Sequence, residues 1–161
     1  MSRRTLVILG AIVGMGILAG GLVVASAGAP TAAPTSSSIS VDKVPSVLQE
    51  EAATHFSATF CLDGDIGSPE VAAVTDFATW SKLEPNRAAS VAALDPQTQV
   101  YALYYANVKC EIRGGGEIVG ARVIVAGDGT VLGSTGWGQP TADMPAPSPT
   151  DPLFGGNWDK S

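Results

Sequence analysis

The strongest constraint on this chain is an uncharged apolar segment, residues 5–27, that directly follows Arg3 and Arg4. As a helix with a rise of about 1.5 Å per residue, roughly 21 apolar residues extend about 31 Å, which matches the hydrocarbon core of a bilayer. The two arginines keep the N-terminus in the cytoplasm by the positive-inside rule. We therefore expect only the later part of the chain to fold as a globular domain, and to lie outside the cytoplasm.

Two outcomes are open for this segment. Its apolar region is longer than the roughly 7–15 residues of a signal peptide, which favours an uncleaved signal-anchor over residues 1–27. Ala25-Ser26-Ala27, however, has the A-x-A form of a cleavage site. The sequence therefore predicts a single-pass protein of the cell membrane, attached through its N-terminal helix, with secretion after cleavage near Ala27 as the alternative.

Composition divides the exported part further. Residues 28–40 are small, polar and proline-containing, which predicts a flexible linker. Two of the nine Lys and Arg residues are Arg3 and Arg4, so the rest of the chain has seven against 15 acidic residues, a net charge of −8. Such a charge argues against nucleic acid as a partner.

Cys61 and Cys110 are the only cysteines, and both fall in the exported part, where oxidation is permitted. We expect them to form a disulfide. Closing a loop of about 50 residues stabilises a domain by about 4 kcal/mol on the chain-entropy model. Two buried free thiols are the alternative.

The first folded element is predicted to be a helix. Apolar residues recur every four positions from Val44 to Phe60, the spacing of an amphipathic helix, and Ser46 with Gln49 fits a capping box. Residues 71–83 fit either a strand or a helix, and their strand-forming residues favour a strand. Pro85 then opens a short Ala-rich helix over residues 86–94.

A β-meander is predicted after these helices. Residues 98–112 alternate in the manner of a strand, with Val100, Tyr104 and Cys110 on the expected core face. Strands over residues 118–126 and 130–135 follow, joined by an Asp-Gly hairpin. We therefore predict an α+β domain over residues 41–137, in which a helix packs on an antiparallel sheet and the disulfide pins that helix across it.

Residues 138–161 are rich in proline and are predicted to be a disordered tail. Near its end, Phe154 and Trp158 are apolar side chains that a solvated tail does not need, so they are candidates for a partner surface, with an incidental or self-packing end as the favoured alternative. Tyr101 and Tyr105 are further candidates, as an exposed aromatic strip on the second face of their strand. A second buried face under a helix is the alternative for the two tyrosines.

The sequences VYALYY, from Val100, and ARVIVAGDGTVLG, from Ala121, follow a short Ala-rich helix. This pattern resembles small exported or membrane-anchored actinobacterial proteins of unknown function, which are similar in turn to PepSY-like or cystatin-like α+β domains. The resemblance implies a helix packed on an antiparallel sheet. It implies no catalytic residues.

Few residues are suited to catalysis. His55 is the only histidine, which argues against zinc sites and histidine-based triads. Asp63-Gly64-Asp65 begins like a calcium loop, but the later ligand positions do not match, so a turn is expected. We therefore predict no catalytic, cofactor-binding or metal-binding residues, and a tethered domain that binds an envelope protein. An envelope-acting enzyme, or an enzyme-regulating domain, that uses a pair of carboxylates in a deep pocket is the alternative.

Overall fold

The computed structural model describes residues 35–112, 115–156 and 158, all within one compact unit of the chain. Its helices and strands, in chain order, are β1 (Ser37–Ile39), α1 (Ser46–Phe60), β2 (Cys61–Asp65), β3 (Val71–Asp76), α2 (Phe77–Leu83), α3 (Pro85–Ala88), β4 (Gln99–Ile112), β5 (Glu117–Ala126) and β6 (Val131–Trp137). The strands form one antiparallel sheet, so the predicted α+β class is confirmed.

Strand β4 is the centre of this sheet, whose order is β1-β3-β4-β5-β6. Along one edge of β4, β3 pairs with the first half and β2 with the second half. Along the other edge lies β5, followed by β6, which confirms the predicted meander. The predicted third strand ended at Thr135, but β6 continues to Trp137.

The first face of the sheet is covered by α1. Leu48, Ala52 and Phe56 form its buried stripe, with the four-residue spacing that the sequence indicated. The capping box is not formed, because Ser46 is already helical and the Gln49 amide donates to the carbonyl oxygens of Val44 and Val41. The core under α1 contains Val44, Leu48, Ala52, Phe56, Cys61, Ile66, Ala72, Tyr101, Leu103, Tyr105, Val108, Cys110, Ile118, Ala121, Val123 and Val125.

A bulge in β4 changes which side chains share a face. Opposite β5, the register shifts between Ala106 and Cys110, and Asn107 has a positive φ of 56°. The extra residues reverse the alternation. Cys110 therefore shares the α1 face with Tyr101, whereas Tyr104 points to the opposite face. The prediction that Tyr104 and Cys110 lie on one core face is wrong.

Cys61 and Cys110 are disulfide-bonded, as predicted. Cys61 is the first residue of β2, and the bond ties this short strand and the end of α1 to β4. The turn predicted at residues 63–65 is instead part of β2. Gly64 has a φ of 117°, and a Cβ there would lie 2.0 Å from the Lys109 carbonyl oxygen, so the strand pairs at this point only because no side chain is present. Disulfides of this kind are typical of domains outside the cytoplasm.

The second face of the sheet is covered by α2, α3 and the C-terminal segment. Residues 71–83 are neither all strand nor all helix. β3 ends at Asp76, whose carboxylate accepts a hydrogen bond from the Thr79 N–H at 2.7 Å and so caps α2. The Ala-rich helix predicted over residues 86–94 is only the single turn of α3.

Both predicted domain boundaries shift. β1 lies inside the predicted linker and pairs with β3. The C-terminal segment, predicted to be disordered, packs on the sheet through Leu153, Phe154 and Trp158, which are buried. These three side chains belong to the second core, with Ala73, Phe77, Trp80, Val100, Ala102, Tyr104, Ile124, Ala126, Leu132 and Trp137.

Residues 5–27 and the cleavage signature lie outside the described residues, as does most of the predicted linker. Within residues 35–112, 115–156 and 158, no helix has the length and apolar character needed to cross a bilayer.

Candidate functional site

Three aromatic rings meet where β6 ends and the C-terminal segment crosses the second face. The ring centroids of Tyr104 and Trp137 are 5.5 Å apart and stacked, and Trp158 lies 5.5 Å from Trp137 and 5.8 Å from Tyr104. The Trp158 indole N–H donates to the Pro152 carbonyl oxygen at 2.7 Å. This aromatic cluster, Tyr104, Trp137 and Trp158, fixes the position of the C-terminal segment on the sheet.

Trp137 reaches this cluster because its neighbour on β5 is a glycine. Gly120 is its partner across the two strands. A Cβ at Gly120 would lie 2.2 Å from Trp137 Cζ2, which no real contact allows. The indole therefore packs directly on the backbone of β5.

A buried ion pair lies beneath the cluster. Arg122, on β5, is 1 % exposed, and its Nη1 lies 2.9 Å from Glu84 Oε1 and donates to the Leu153 carbonyl oxygen at 3.0 Å. Glu84 Oε1 also accepts a hydrogen bond from the Gly155 N–H at 3.1 Å. The pair therefore joins the α2–α3 junction, β5 and the C-terminal segment.

Arg87 extends this network to β6. Its Nε lies 3.1 Å from Glu84 Oε2, and its Nη2 donates to the Thr135 hydroxyl at 2.9 Å. A buried carboxylate is stable only when it is paired and hydrogen-bonded. Glu84 meets that requirement through Oε1, which accepts hydrogen bonds from Arg122 and the Gly155 N–H, and Arg87 adds an ion pair at Oε2. These contacts hold the second face in one arrangement.

A cavity of about 690 Å³ opens beside the aromatic cluster. We refer to it as the β6 cavity. Its lining residues come from the end of β6 and from the C-terminal segment: Trp137, Gly138, Gln139, Thr141, Asp143, Met144, Pro145, Ala146, Pro147, Asp151 and Trp158.

Two hydrogen-bonded turns present the carboxylates of the β6 cavity. The Thr141 hydroxyl accepts from the Met144 N–H at 3.1 Å, and the Thr141 N–H donates to the Met144 carbonyl oxygen at 3.2 Å. Asp143 lies inside this first turn. In the second turn, Asp151 Oδ2 accepts from the Ser148 N–H at 2.9 Å. Both carboxylates are exposed at the rim of the cavity, whereas the two tryptophans are buried in the second core behind it.

The pKa of Tyr104 reflects both the burial of the aromatic cluster and the carboxylates near it. Burial raises the pKa of Tyr104 above its usual value, and the carboxylates of Glu70 and Asp151 raise that pKa further. A negative potential favours the neutral phenol in this way. Asp151 therefore acts on the aromatic cluster although it stands at the rim.

A second cavity, also of about 690 Å³, lies on the other side of Trp137, next to the end of α1. It is lined by residues such as Phe60, Ile112 and Ile118, and Glu117 is the one charged residue among its described lining residues. Its lining therefore offers fewer charged groups to a ligand than the lining of the β6 cavity does.

The residues predicted as a partner surface lie elsewhere than expected. Tyr101 and Tyr105 are 7 % and 0 % exposed under α1, so the alternative of a second buried face is correct for them. Burial also raises the pKa of Tyr105 strongly. Phe154 is 2 % and Trp158 1 % exposed, because both fill the second core. Of the four, only Trp158 lines the β6 cavity.

Sequence reasoning missed Glu84, Arg122, Asp143 and Asp151. Arg122 could have been recognised from the sequence, because it is the only charged residue in the apolar run of β5 between Ile118 and Ala126. A charge in such a strand needs a buried partner. No sequence pattern marks Asp143 and Asp151, since they lie in a proline-rich stretch without periodicity.

The remaining candidates for chemistry are dispersed. His55 is exposed on α1, and Asp63 and Asp65 accept hydrogen bonds from backbone N–H groups of the following residues. Among the described residues, no group of three or more His, Cys, Asp and Glu side chains is placed to hold a metal ion.

No family model, no curated protein and no solved structure matches this chain. Its function is therefore inferred from its own sequence and geometry.

Proposed function

We propose that this chain is a membrane-tethered, extracytoplasmic binding domain that recognises an envelope partner through the β6 cavity. One observation carries the proposal: a cavity of about 690 Å³ is lined by two tryptophans and two carboxylates. Ligand sites typically combine such an apolar concave surface with a few polar groups that fix orientation. The ion pair of Glu84 and Arg122 holds the wall of this cavity in place.

The tether is residues 5–27, whose length and flanking arginines suit a signal-anchor. The disulfide of Cys61 and Cys110 supports an oxidising compartment for the domain. Protease treatment of intact cells should remove the domain and leave the N-terminus. Recovery of the whole protein from the medium, starting at Gly28, would instead support cleavage.

An enzyme that uses carboxylates is the second candidate, and a specific observation favours it: Asp143 and Asp151 line the same cavity. A general acid at neutral pH, however, usually stands in apolar surroundings that keep it protonated. Both aspartates are exposed. Binding is therefore the better-supported function.

Site-specific photocrosslinking on membranes tests the proposed binding site. Met144, which lines the β6 cavity, and Val47, on the outer surface of α1, are 58 % and 65 % exposed, so they are matched positions for a photoreactive residue. We expect one discrete crosslinked partner from position 144 and none from position 47. Equal products from both positions, or none from position 144, would contradict the proposed site.

The same preparation distinguishes the enzyme. Replacing His55, Asp63 and Asp65 together should leave the crosslink at position 144 unchanged, because these side chains lie on α1 and β2. If the purified chain degraded cell-wall polysaccharide, and Asp143→Asn abolished that activity, the second candidate would replace the first.

A further inference from the structure

We propose that this chain is O-glycosylated on threonines that directly follow proline, in the two segments that flank the folded domain. Four of its 11 prolines are followed by threonine: Pro30, Pro34, Pro140 and Pro149. With 12 threonines among 161 residues, a random order would place a threonine after about one proline. Glycosylation requires the exported location but not the β6 cavity, so it goes beyond the proposed function.

The Pro-Thr pairs are confined to the segments outside the domain. They lie in residues 28–40 and 138–161, whereas the four prolines of residues 41–137 are followed by other residues. Residues 28–40 also contain six serines and threonines in total. Exported sequences rich in serine, threonine and proline are typical of O-glycosylated stalks, because an extended, solvated backbone presents the hydroxyl groups.

The structure describes three of these four threonines, and all three are accessible. Thr35, Thr141 and Thr150 are exposed, and they lie outside the helices and strands. An exposed, irregular segment can enter the active site of a modifying enzyme, as it can enter that of a protease. Thr35 contacts the domain through its carbonyl oxygen, which accepts from the Thr75 hydroxyl at 3.4 Å, so its own hydroxyl is not used in that contact.

The other two hydroxyl groups make only local contacts. The Thr141 hydroxyl accepts from a backbone N–H three residues further on, at 3.1 Å, and the Thr150 hydroxyl lies 2.8 Å from the Ser148 hydroxyl. By contrast, the buried Thr135 hydroxyl accepts from Arg87 Nη2 at 2.9 Å, across the second face. A sugar on the flanking threonines therefore leaves the core undisturbed.

The reaction joins a threonine oxygen to a sugar. The Oγ1 atom attacks the anomeric carbon of an activated sugar whose leaving group is a phosphate ester. The glycosidic bond forms as the bond between the anomeric carbon and the phosphate oxygen breaks, and the phosphate leaves with that electron pair. The hydroxyl proton passes to a base of the transferase. The co-substrate is thus a glycosyl phosphate, and the modifying partner is a glycosyltransferase of the envelope.

Mass spectrometry of the full chain from native membranes tests the modification. We expect masses that exceed the polypeptide mass by whole monosaccharide residues, and fragmentation should place the sugars on Thr35, Thr141 and Thr150. Thr54, on α1, and Thr130, in the β5–β6 hairpin, are internal controls, because both are exposed but neither follows proline. They should carry no sugar.

Three variants separate the hydroxyl group from its proline context. Thr150→Ala removes the acceptor and should abolish modification at that position, whereas Thr150→Ser keeps a hydroxyl and should remain modified. Pro149→Ala keeps the acceptor but removes the constraint on the backbone, and should lower the sugar occupancy of Thr150 several-fold. Both positions are exposed, so these variants should fold like the parent chain.

The outcomes are distinct. A chain of unmodified mass would overturn the glycosylation, and the proposed function would still stand if protease treatment of intact cells removes the domain. Equal sugar occupancy of Thr130 and Thr150, or an occupancy of Thr150 that Pro149→Ala does not change, would also overturn the proposal, because proline would then not mark the acceptor. Sugars confined to threonines that follow proline would support it.

Discussion

The two faces of the sheet are stabilised in different ways. On the first face, a regular amphipathic helix, α1, packs on aliphatic side chains, and a disulfide joins the strand that follows it to β4. On the second face, two short helices and an irregular segment surround an aromatic cluster and a buried ion pair. The cavity with the richest chemistry lies on this second face, where residues distant in the sequence meet.

This difference concerns specificity as well as stability. Aliphatic packing under a helix tolerates many side chains of suitable volume. A buried ion pair tolerates few substitutions, because a buried charge that loses its partner destabilises the fold. We therefore expect the first face to determine the stability of the domain and the second face to determine the shape of the β6 cavity.

Removing the disulfide should have the largest effect on stability. Cys61 and Cys110 are 49 residues apart, and opening a loop of this size lowers the free energy of unfolding by about 4 kcal/mol on the chain-entropy model. The Cys61→Ser, Cys110→Ser variant should show this loss in urea unfolding. A loss of less than about 1 kcal/mol would mean that β2 and α1 are held by packing alone.

Glu84→Gln should have the next largest effect. The substitution removes the charge that Arg122 faces at 2.9 Å while keeping the size of the side chain, and should cost about 3 kcal/mol. Adding Arg122→Met should recover part of that loss, because the buried positive charge that Glu84 balanced is then absent as well. If the losses in the free energy of unfolding of the two single variants simply add up in the double variant, the pair does not organise the second face.

Gly120→Ala should destabilise the chain by about 2 kcal/mol through overpacking, since the new Cβ meets the Trp137 indole. Displacing Trp137 should also change the tryptophan emission. Gly127→Ala is the control, because its Cβ would meet nothing closer than 3.5 Å, the distance to the Gln99 carbonyl oxygen. If the two variants have the same free energy of unfolding, Trp137 does not pack on β5 as described.

The smallest effect concerns the ionisation of Tyr104, on the second face. Because the Asp151 carboxylate contributes to raising the pKa of Tyr104, Asp151→Asn should lower that pKa towards its usual value of about 10. The raised pKa stabilises the fold below about pH 10, and this contribution is lost as the pH rises through the pKa of the folded protein. NMR titration of the ring measures the pKa directly. An unchanged value would place Asp151 away from the cluster.

Regular alternation made much of the first face and the meander predictable. The apolar spacing from Leu48 to Phe56 identified α1, and β4 begins one residue from its predicted start. The same alternation misplaced the core, because residues on both sides of β4 are buried and the bulge at Asn107 reverses their order. Periodicity identifies a strand, but the partners of each side depend on the rest of the fold.

The second face was largely beyond sequence reasoning. Proline-rich composition indicated that residues after Gly138 do not pack, whereas Leu153, Phe154 and Trp158 supply enough apolar surface to anchor them. The Asp76 cap of α2 was not predicted either. The meeting of Glu84 with Arg122 depends on contacts between distant segments, which no local pattern records.

The C-terminal segment is a packed wall of the β6 cavity. Hydrogen exchange of the Trp158 indole N–H, followed by NMR on the full chain, tests it most directly. This N–H is buried and donates to the Pro152 carbonyl oxygen at 2.7 Å, so it should exchange only through global unfolding, as slowly as the most protected amides of β4. Exchange at the rate of an unfolded peptide would contradict the claim.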